Sequence, residues 1–140
     1  MLEPVFSGIL KAVGPELTSA AVAALPHVGG RQLKPKNWHI TLVHQSLLKP
    51  HRKFLKQAVL PPLPSVEFDP VSPESHRQFV NPDTRELRES WVLWVTDETQ
   101  KALEKWVDEF LTSLGVQDRE DRRFHMSVSN LTGNPGDSVR

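Results

Sequence analysis

The chain has 140 residues, which fits one domain or two small lobes around a shared core. Its 17 basic and 17 acidic side chains cancel, which argues against a general nucleic-acid coat protein but leaves a short phosphate ligand possible. The lack of cysteine excludes disulfides, thiolate metal sites and a cysteine nucleophile. The longest apolar run, Ala20 to Leu25, is too short to cross a bilayer, so we expect neither a membrane span nor a signal peptide. We expect a soluble monomer without membrane contact, cytoplasmic or, in a eukaryote, nuclear.

Prolines and apolar runs divide the first half of the chain into five predicted segments. Pro15 and Glu16 suit the first turn of a helix, and Pro26 ends it. Alternation and β-branched residues indicate a strand after the loop. The segments are a strand within Val5–Val13, a helix to Leu25, a loop over His27–Asn37, a strand over Trp38–Val43 and a short helix over Arg52–Val59.

The middle of the chain is rich in proline, with six between Pro61 and Pro82. Within it the pattern predicts a strand at Val66–Phe68 and a turn at Asn81–Asp83. The nearly continuous apolar run Ser90–Thr96 predicts a buried strand.

The clearest predicted helix follows that strand. Asp97 and Gln100 have the spacing of a capping box, and Gly115 is placed to end the helix. The apolar residues between them recur at the helical period on one face: Leu103, Trp106, Val107, Phe110, Leu111 and Leu114. A charged loop then leads to a last strand, Arg123–Ser129, and a polar tail.

The two ends of the chain share one order of elements: strand, helix, loop and a strand that carries a histidine. This order predicts two similar lobes that each contribute one strand to a shared centre.

The two histidine strands also share a local pattern of apolar, His, apolar, hydroxyl and apolar residues. It occurs as Trp38-His39-Ile40-Thr41-Leu42 and again as Phe124-His125-Met126-Ser127-Val128. Because side chains alternate along a strand, each histidine shares a face with its hydroxyl residue, opposite the apolar neighbours. Adjacent strands would therefore place two imidazoles and two hydroxyls on one surface.

Such a surface suits phosphodiester cleavage. A neutral imidazole takes a proton from the attacking water or hydroxyl, and a protonated one gives a proton to the leaving oxygen. An ordinary pKa of about 6.5 allows histidine either state near neutral pH. The hydroxyls of Thr41 and Ser127 can donate to the non-bridging oxygens, where charge builds up. The scheme needs no metal or other cofactor.

These residues resemble the two-histidine (2H) phosphoesterase superfamily, whose signature is a pair of His-x-[Thr/Ser] motifs with apolar flanks. The chain is shorter than is usual there, and Ser127 stands where threonine is typical. The resemblance implies a bilobal α+β domain spanning residues 1–140, with pseudo-symmetric antiparallel-sheet lobes and outer helices around a central groove. It implies that His39 and His125 form the acid–base pair, with Thr41 and Ser127 on the phosphate.

The resemblance also implies a metal-independent phosphoric diester hydrolase. Its substrate would be a 2′,3′-cyclic phosphate, or a 2′–5′ or 3′-end phosphodiester of a short RNA or nucleotide. Arg123, Asn37 and Ser129 share the histidine face by strand alternation and are candidate substrate contacts. Which histidine is the base stays open, because the two motifs are nearly equivalent.

Four other interpretations remain. The histidines could be buried and satisfied by neighbouring hydroxyls. They could bind a metal with a carboxylate such as Asp121, although neither motif has a closely spaced second ligand. The chemistry also suits hydrolysis of a cyclic oligonucleotide messenger. Finally, the groove could bind RNA ends or phosphate without turnover.

Overall fold

The computed structural model describes residues 2–69, 74–81 and 86–139. It confirms an α+β fold in which seven strands form one antiparallel sheet. The strands are β1 Glu3–Phe6, β2 Leu10–Val13, β3 Arg31–Gln32, β4 Ile40–Val43, β5 Glu74–Asn81, β6 Glu86–Trp94 and β7 His125–Asn130. The helices are α1 Pro15–Ala24, α2 Gln45–Leu48, α3 Arg52–Leu55 and α4 Asp97–Ser113.

The strand order is β1-β2-β4-β7-β6-β5, and β3 pairs with β7. The two histidine motifs are far apart in the chain, yet their strands, β4 and β7, are neighbours at the centre of the sheet. Because β4 and β7 are paired, the two motifs lie next to each other in the sheet.

The prediction of one strand within Val5–Val13 is wrong, because this segment is a hairpin of β1 and β2. Gly8 has a φ of +87°, which a side chain rarely adopts, so the chain reverses there. The Ser7 amide donates to the Ile9 carbonyl across the turn.

The next segments largely follow the prediction. Helix α1 begins at Pro15 and ends where Pro26 enters a 3₁₀ turn. The predicted loop holds the short strand β3 and a second 3₁₀ turn, and β4 is two residues shorter at its start than expected. The predicted helix over Arg52–Val59 extends only to Leu55, while α2 and a 3₁₀ turn precede it.

The proline-rich middle contributes more strand than its sequence predicts. Phe68 forms one isolated bridge with Val95, in place of a full strand at Val66–Phe68. The polar segment β5 was not predicted, and it pairs along most of its length with β6. Of the predicted turn, Asn81 is the last residue of β5 and the rest lies outside the described residues.

Helix α4 is confirmed, but the predicted capping box is wrong. Thr96 is the N-cap, and its hydroxyl accepts a hydrogen bond from the Thr99 amide at 3.2 Å. The side-chain amide of Gln100 does not cap the helix but forms hydrogen bonds with the segment before β7. Gly115 ends the helix at a φ of +75°, and the Val116 amide donates to the Leu111 carbonyl, as in a Schellman motif.

Helices α1 and α4 both contribute to the hydrophobic core of the described residues. Leu17 and Ala21 from α1 and Leu103 and Phe110 from α4 are buried in the same cluster as the apolar residues of β4 and β7. These strand residues are Ile40, Leu42, Met126 and Val128, and Trp38 and Phe124 from just before the two strands join them. The opposite face of the two central strands therefore carries the polar residues of both motifs. In the part of the chain that the structure describes, no helix has the length and apolar character needed to span a membrane.

Candidate functional site: a cavity between two histidine motifs

The pairing of β4 with β7 determines how the two motifs face each other. Ile40 is the Cα partner of Met126 in an antiparallel register. Extending that register by one residue each way puts His39 across from Ser127 and Thr41 across from His125. Directly opposite side chains in such a pair have Cβ atoms about 5 Å apart, and diagonal ones about 7–8 Å. Each histidine thus lies beside the hydroxyl of the other motif, with the two imidazoles on a diagonal.

Burial agrees with this arrangement. His39, Thr41, His125 and Ser127 are all partly exposed, whereas the apolar residues that alternate with them are buried. The face predicted from strand alternation is therefore the face that solvent reaches.

The imidazole of His39 has a defined orientation and tautomer. Its Nδ1 lies 2.8 Å from the Asn37 carbonyl oxygen, which can only accept, so Nδ1 carries the proton of the neutral ring. Nε2 then holds the lone pair and accepts from the Thr41 hydroxyl at 3.2 Å. This arrangement presents Nε2 as the atom that exchanges protons.

The second imidazole repeats this arrangement. Nδ1 of His125 donates to the Arg123 carbonyl oxygen at 3.0 Å, again two residues earlier in the chain. The ring packs against Trp94, with centroids 5.3 Å apart and planes inclined by 59°. Both histidines therefore direct the same nitrogen, Nε2, away from the backbone.

The environment of His39 favours its neutral form. Burial lowers the pKa of His39 below its ordinary value, and the positive charge of Lys11 adds to this, against the opposing effect of the hydrogen bond to Asn37. Lys11 is the Cα partner of Thr41 in the pairing of β2 with β4, so it lies on the neighbouring strand. His39 is consequently suited to accept a proton at neutral pH.

A cavity of about 370 Å³ contains these groups. We call it the histidine cavity. Both histidines and both hydroxyl residues line it, together with Asn37. Its other polar lining residues are Arg88, Arg122, His44 and Ser138, and Ile9, Leu33, Pro135, Gly136 and Val139 complete it. Among these lining residues, all of which the structure describes, there is no carboxylate. The cavity therefore suits an anion.

Two of the candidate substrate contacts do not line the cavity. The guanidinium of Arg123 donates to the Val95 carbonyl at 3.0 Å and pairs with Asp97 at 3.3 Å. Ser129 is buried and donates to the Gly29 carbonyl at 2.7 Å. Ser129 leaves the predicted face because of a β-bulge in β7. Ser127 and Ser129 pair with the consecutive residues Val92 and Trp91, so β7 has one extra residue and the alternation of its side chains is broken.

Several lining residues were not found from the sequence. Arg88 belongs to the part of β6 that precedes the apolar run, where the pattern predicted no strand. Strand alternation continued past Val43 would place His44 on the face opposite His39, but β4 ends at Val43, so alternation does not apply to it. The polar tail forms one wall, and the Val139 amide donates to the Ser90 hydroxyl at 2.9 Å. No local sequence signal marks such long-range contacts.

Gln100 fixes the segment that leads into the second motif. Its Nε2 donates to the Arg122 carbonyl at 2.8 Å, and its Oε1 accepts from the Phe124 amide at 2.9 Å. These two bonds hold the backbone on both sides of Arg123, whose carbonyl orients His125. Gln100 therefore acts as a positioning residue for that imidazole.

Glu120 links the loop before β7 to the end of β4. One carboxylate oxygen accepts from the His44 amide at 2.8 Å, and the other accepts from Arg122 at 2.8 Å. Both partners line the histidine cavity. The sequence had suggested only a solvated acidic loop here.

The donor set also bears on the metal interpretation. Within the described residues, no group of three or more His, Asp or Glu side chains could hold a metal ion. Asp121, the suggested third ligand, lines a different cavity of about 460 Å³ between β4 and α4. The residues present thus do not form the metal site considered from the sequence.

Comparisons with known proteins add no family to this picture. No family model matches the chain, and neither a curated protein nor a solved structure does. The resemblance to the two-histidine phosphoesterases accordingly rests on the two motifs and their surroundings.

Proposed function

We propose that this protein is a phosphodiesterase of the two-histidine type, acting on a 2′,3′-cyclic phosphate or on a 2′–5′ or 3′-end phosphodiester of a short RNA or nucleotide. The observation that carries the proposal is the matched orientation of two imidazoles in one cavity. Each donates its Nδ1 proton to the carbonyl two residues earlier, and each strand lies beside the other. Two histidines that were merely buried would not need matched tautomers over a shared cavity.

The strand order supports a two-lobed reading of the fold. From the central pair outward, β4 is followed by β2 and β1, while β7 is followed by β6 and β5. Each half therefore has a hairpin beside a histidine strand, with one long helix from each half in the core. We propose that these halves are the pseudo-symmetric lobes and that the histidine cavity is the groove between them.

The proposed reaction divides two proton transfers between the histidines. His39, neutral because of its burial, accepts through Nε2 the proton of the attacking water or 2′ hydroxyl as the new P–O bond forms. His125 gives a proton from Nε2 to the oxygen whose bond to phosphorus breaks. Hydrolysis of a cyclic phosphate thus consumes one water and yields a phosphomonoester, with the protonation states of the two rings exchanged.

The remaining lining residues supply charge and hydrogen-bond donors. Ser127 can donate to a non-bridging oxygen, where negative charge increases in the transition state, and Thr41 can do so once its hydroxyl turns away from Nε2 of His39. Arg122 adds a guanidinium to the lining, although Glu120 pairs with it at 2.8 Å. The volume of about 370 Å³ suits a ligand the size of a nucleotide.

Two other functions fit the same cavity. A cyclic oligonucleotide messenger contains the same phosphodiester and would use the same proton transfers. A module that binds RNA ends or phosphate would use the same cations without turnover. The substrate panel below separates all three.

The test is turnover by the purified chain in excess EDTA, followed by phosphorus NMR. The panel holds 2′,3′-cyclic mononucleotides, 2′–5′ and 3′–5′ linked diadenosine and a cyclic dinucleotide. We expect hydrolysis of at least one member, unchanged by the chelator. Binding without turnover across the panel would favour the binding module, and activity restored only by added metal would contradict the proposed mechanism.

A further inference from the structure

The proposed proton transfers do not explain the position of Arg88. It lines the histidine cavity from β6, which pairs with β7 on the side away from β4. Its Nε atom is buried and has no hydrogen-bond partner among the described residues. A buried guanidinium nitrogen without a partner is costly, so such an atom points to a ligand that supplies the acceptor.

The strand register places Arg88 at a distance from the reacting centre. Val92 is the Cα partner of Ser127, the residue that lies across from His39. Arg88 precedes Val92 by four residues, so its Cα is about 13 Å farther along the strand. Alternation gives Arg88, Ser90 and Val92 a common face. The Arg88 side chain therefore enters the cavity from a strand position that is displaced from both histidines.

The chemistry of the guanidinium identifies the class of that second group. Arginine presents several donors in a planar fork that matches a phosphate, and charge-assisted bonds of this kind are strong. The described lining of the cavity holds no carboxylate that would compete for it. An anionic group of the ligand is thus the fitting partner.

We propose that Arg88 forms a second phosphate subsite, so that the preferred substrate carries one phosphate at Arg88 and another between His39 and His125. That this ligand is a substrate rests on the proposed function, whereas the subsite itself requires only that the ligand binds. It favours oligonucleotides, linear or cyclic, and phosphorylated nucleotides over a nucleoside that carries a single cyclic phosphate.

The test compares ligands that differ in one phosphate. Calorimetry measures the Kd of adenosine 3′-phosphate and of adenosine 3′,5′-bisphosphate, neither of which needs turnover. Kinetics then compares adenosine 2′,3′-cyclic phosphate with its 5′-phosphorylated form. We expect the second phosphate to tighten binding and to raise kcat/KM, each by about tenfold or more.

Arg88→Gln is expected to remove this advantage and to leave affinity for the monophosphate nearly unchanged. Arg88→Lys, which keeps the charge but not the fork, is expected to retain part of it. Lys101→Gln on the exposed side of α4 is the matched control for loss of one charge, and it should behave as wild type. A thermal melt of each variant verifies folding.

The outcomes separate the subsite from the proposed activity. An advantage that persists in Arg88→Gln, or that is missing from the wild type, overturns the subsite even if the cyclic phosphates are hydrolysed. An Arg88-dependent advantage in binding without turnover of either cyclic phosphate supports the subsite and excludes these cyclic phosphates as substrates, whereas no turnover of any member of the panel contradicts the proposed phosphodiesterase.

Discussion

Nδ1 of His39 and Nδ1 of His125 each donate to a carbonyl two residues earlier in the chain, Asn37 in one case and Arg123 in the other. A ring that is held in this way cannot turn to offer the other nitrogen without losing a hydrogen bond. The backbone before each strand therefore selects the tautomer. The difference between the two sites lies in their surroundings, and the proposed role of His39 as the base rests on this difference.

The acidic limb of the pH profile should report His39. Because burial and Lys11 lower its pKa, we expect the acidic limb of kcat/KM to fall below pH 6.5. Lys11→Met removes the charge but not the burial, so it should move this limb to higher pH. NMR titration of the imidazole checks the pKa directly, with Lys101→Met as the control. An unchanged limb in Lys11→Met would contradict the assignment.

The same shift has a consequence for stability. Between the lowered pKa of folded His39 and the ordinary value near 6.5, the unfolded chain binds more protons than the folded one. The contribution of His39 to the free energy of unfolding therefore decreases as the pH falls through this window. Replacement by glutamine, which does not titrate, should remove this dependence in urea unfolding at a series of pH values.

At the scale of elements, Gln100 connects α4 to the entrance of β7. Gln100→Ala leaves the Phe124 amide and the Arg122 carbonyl without these partners, so we expect a loss of about 2–4 kcal/mol in the free energy of unfolding. Activity of the folded variant should also fall, because the carbonyl that orients His125 lies between the two. Urea unfolding and kcat together measure both effects.

Lys101→Ala is the control, because Lys101 is the exposed neighbour of Gln100 in the same helix. It should change the free energy of unfolding by no more than about 0.5 kcal/mol. Wild-type kcat in Gln100→Ala, measured where the variant is fully folded, would contradict the positioning role of Gln100.

Elements with strong local patterns were predictable, and those made by pairing were not. Helix α4 follows from its apolar period and Gly115, and the shared face of His39 and Thr41 follows from alternation. Strand β5 is polar and forms by pairing with β6, so its own sequence does not predict a strand. The bulge at β7 and the placement of Arg88 likewise depend on contacts distant in sequence. The paired motifs were thus evident before the rest of the cavity.

At the scale of the molecule, one sheet separates the core from the site. Both long helices contribute to the core on one face of the central strands, and the histidine cavity opens on the other. The net charge of the chain is zero, yet the described lining of the cavity holds Arg88 and no carboxylate, while its second arginine, Arg122, pairs with Glu120. Local distribution of charge, and not its total, therefore determines which ligand this surface favours.

The most direct test of the two-histidine mechanism measures kcat/KM of single variants on two substrates. One is the best phosphodiester of the panel, and the other is an activated p-nitrophenyl phosphodiester, whose leaving group needs no proton. On the first, His39→Gln and His125→Gln should each lose nearly all activity, whereas His27→Gln, an exposed histidine outside the cavity, should not. On the activated ester, only His39→Gln should remain inactive. Near-normal turnover of the first substrate by either cavity variant would contradict the account.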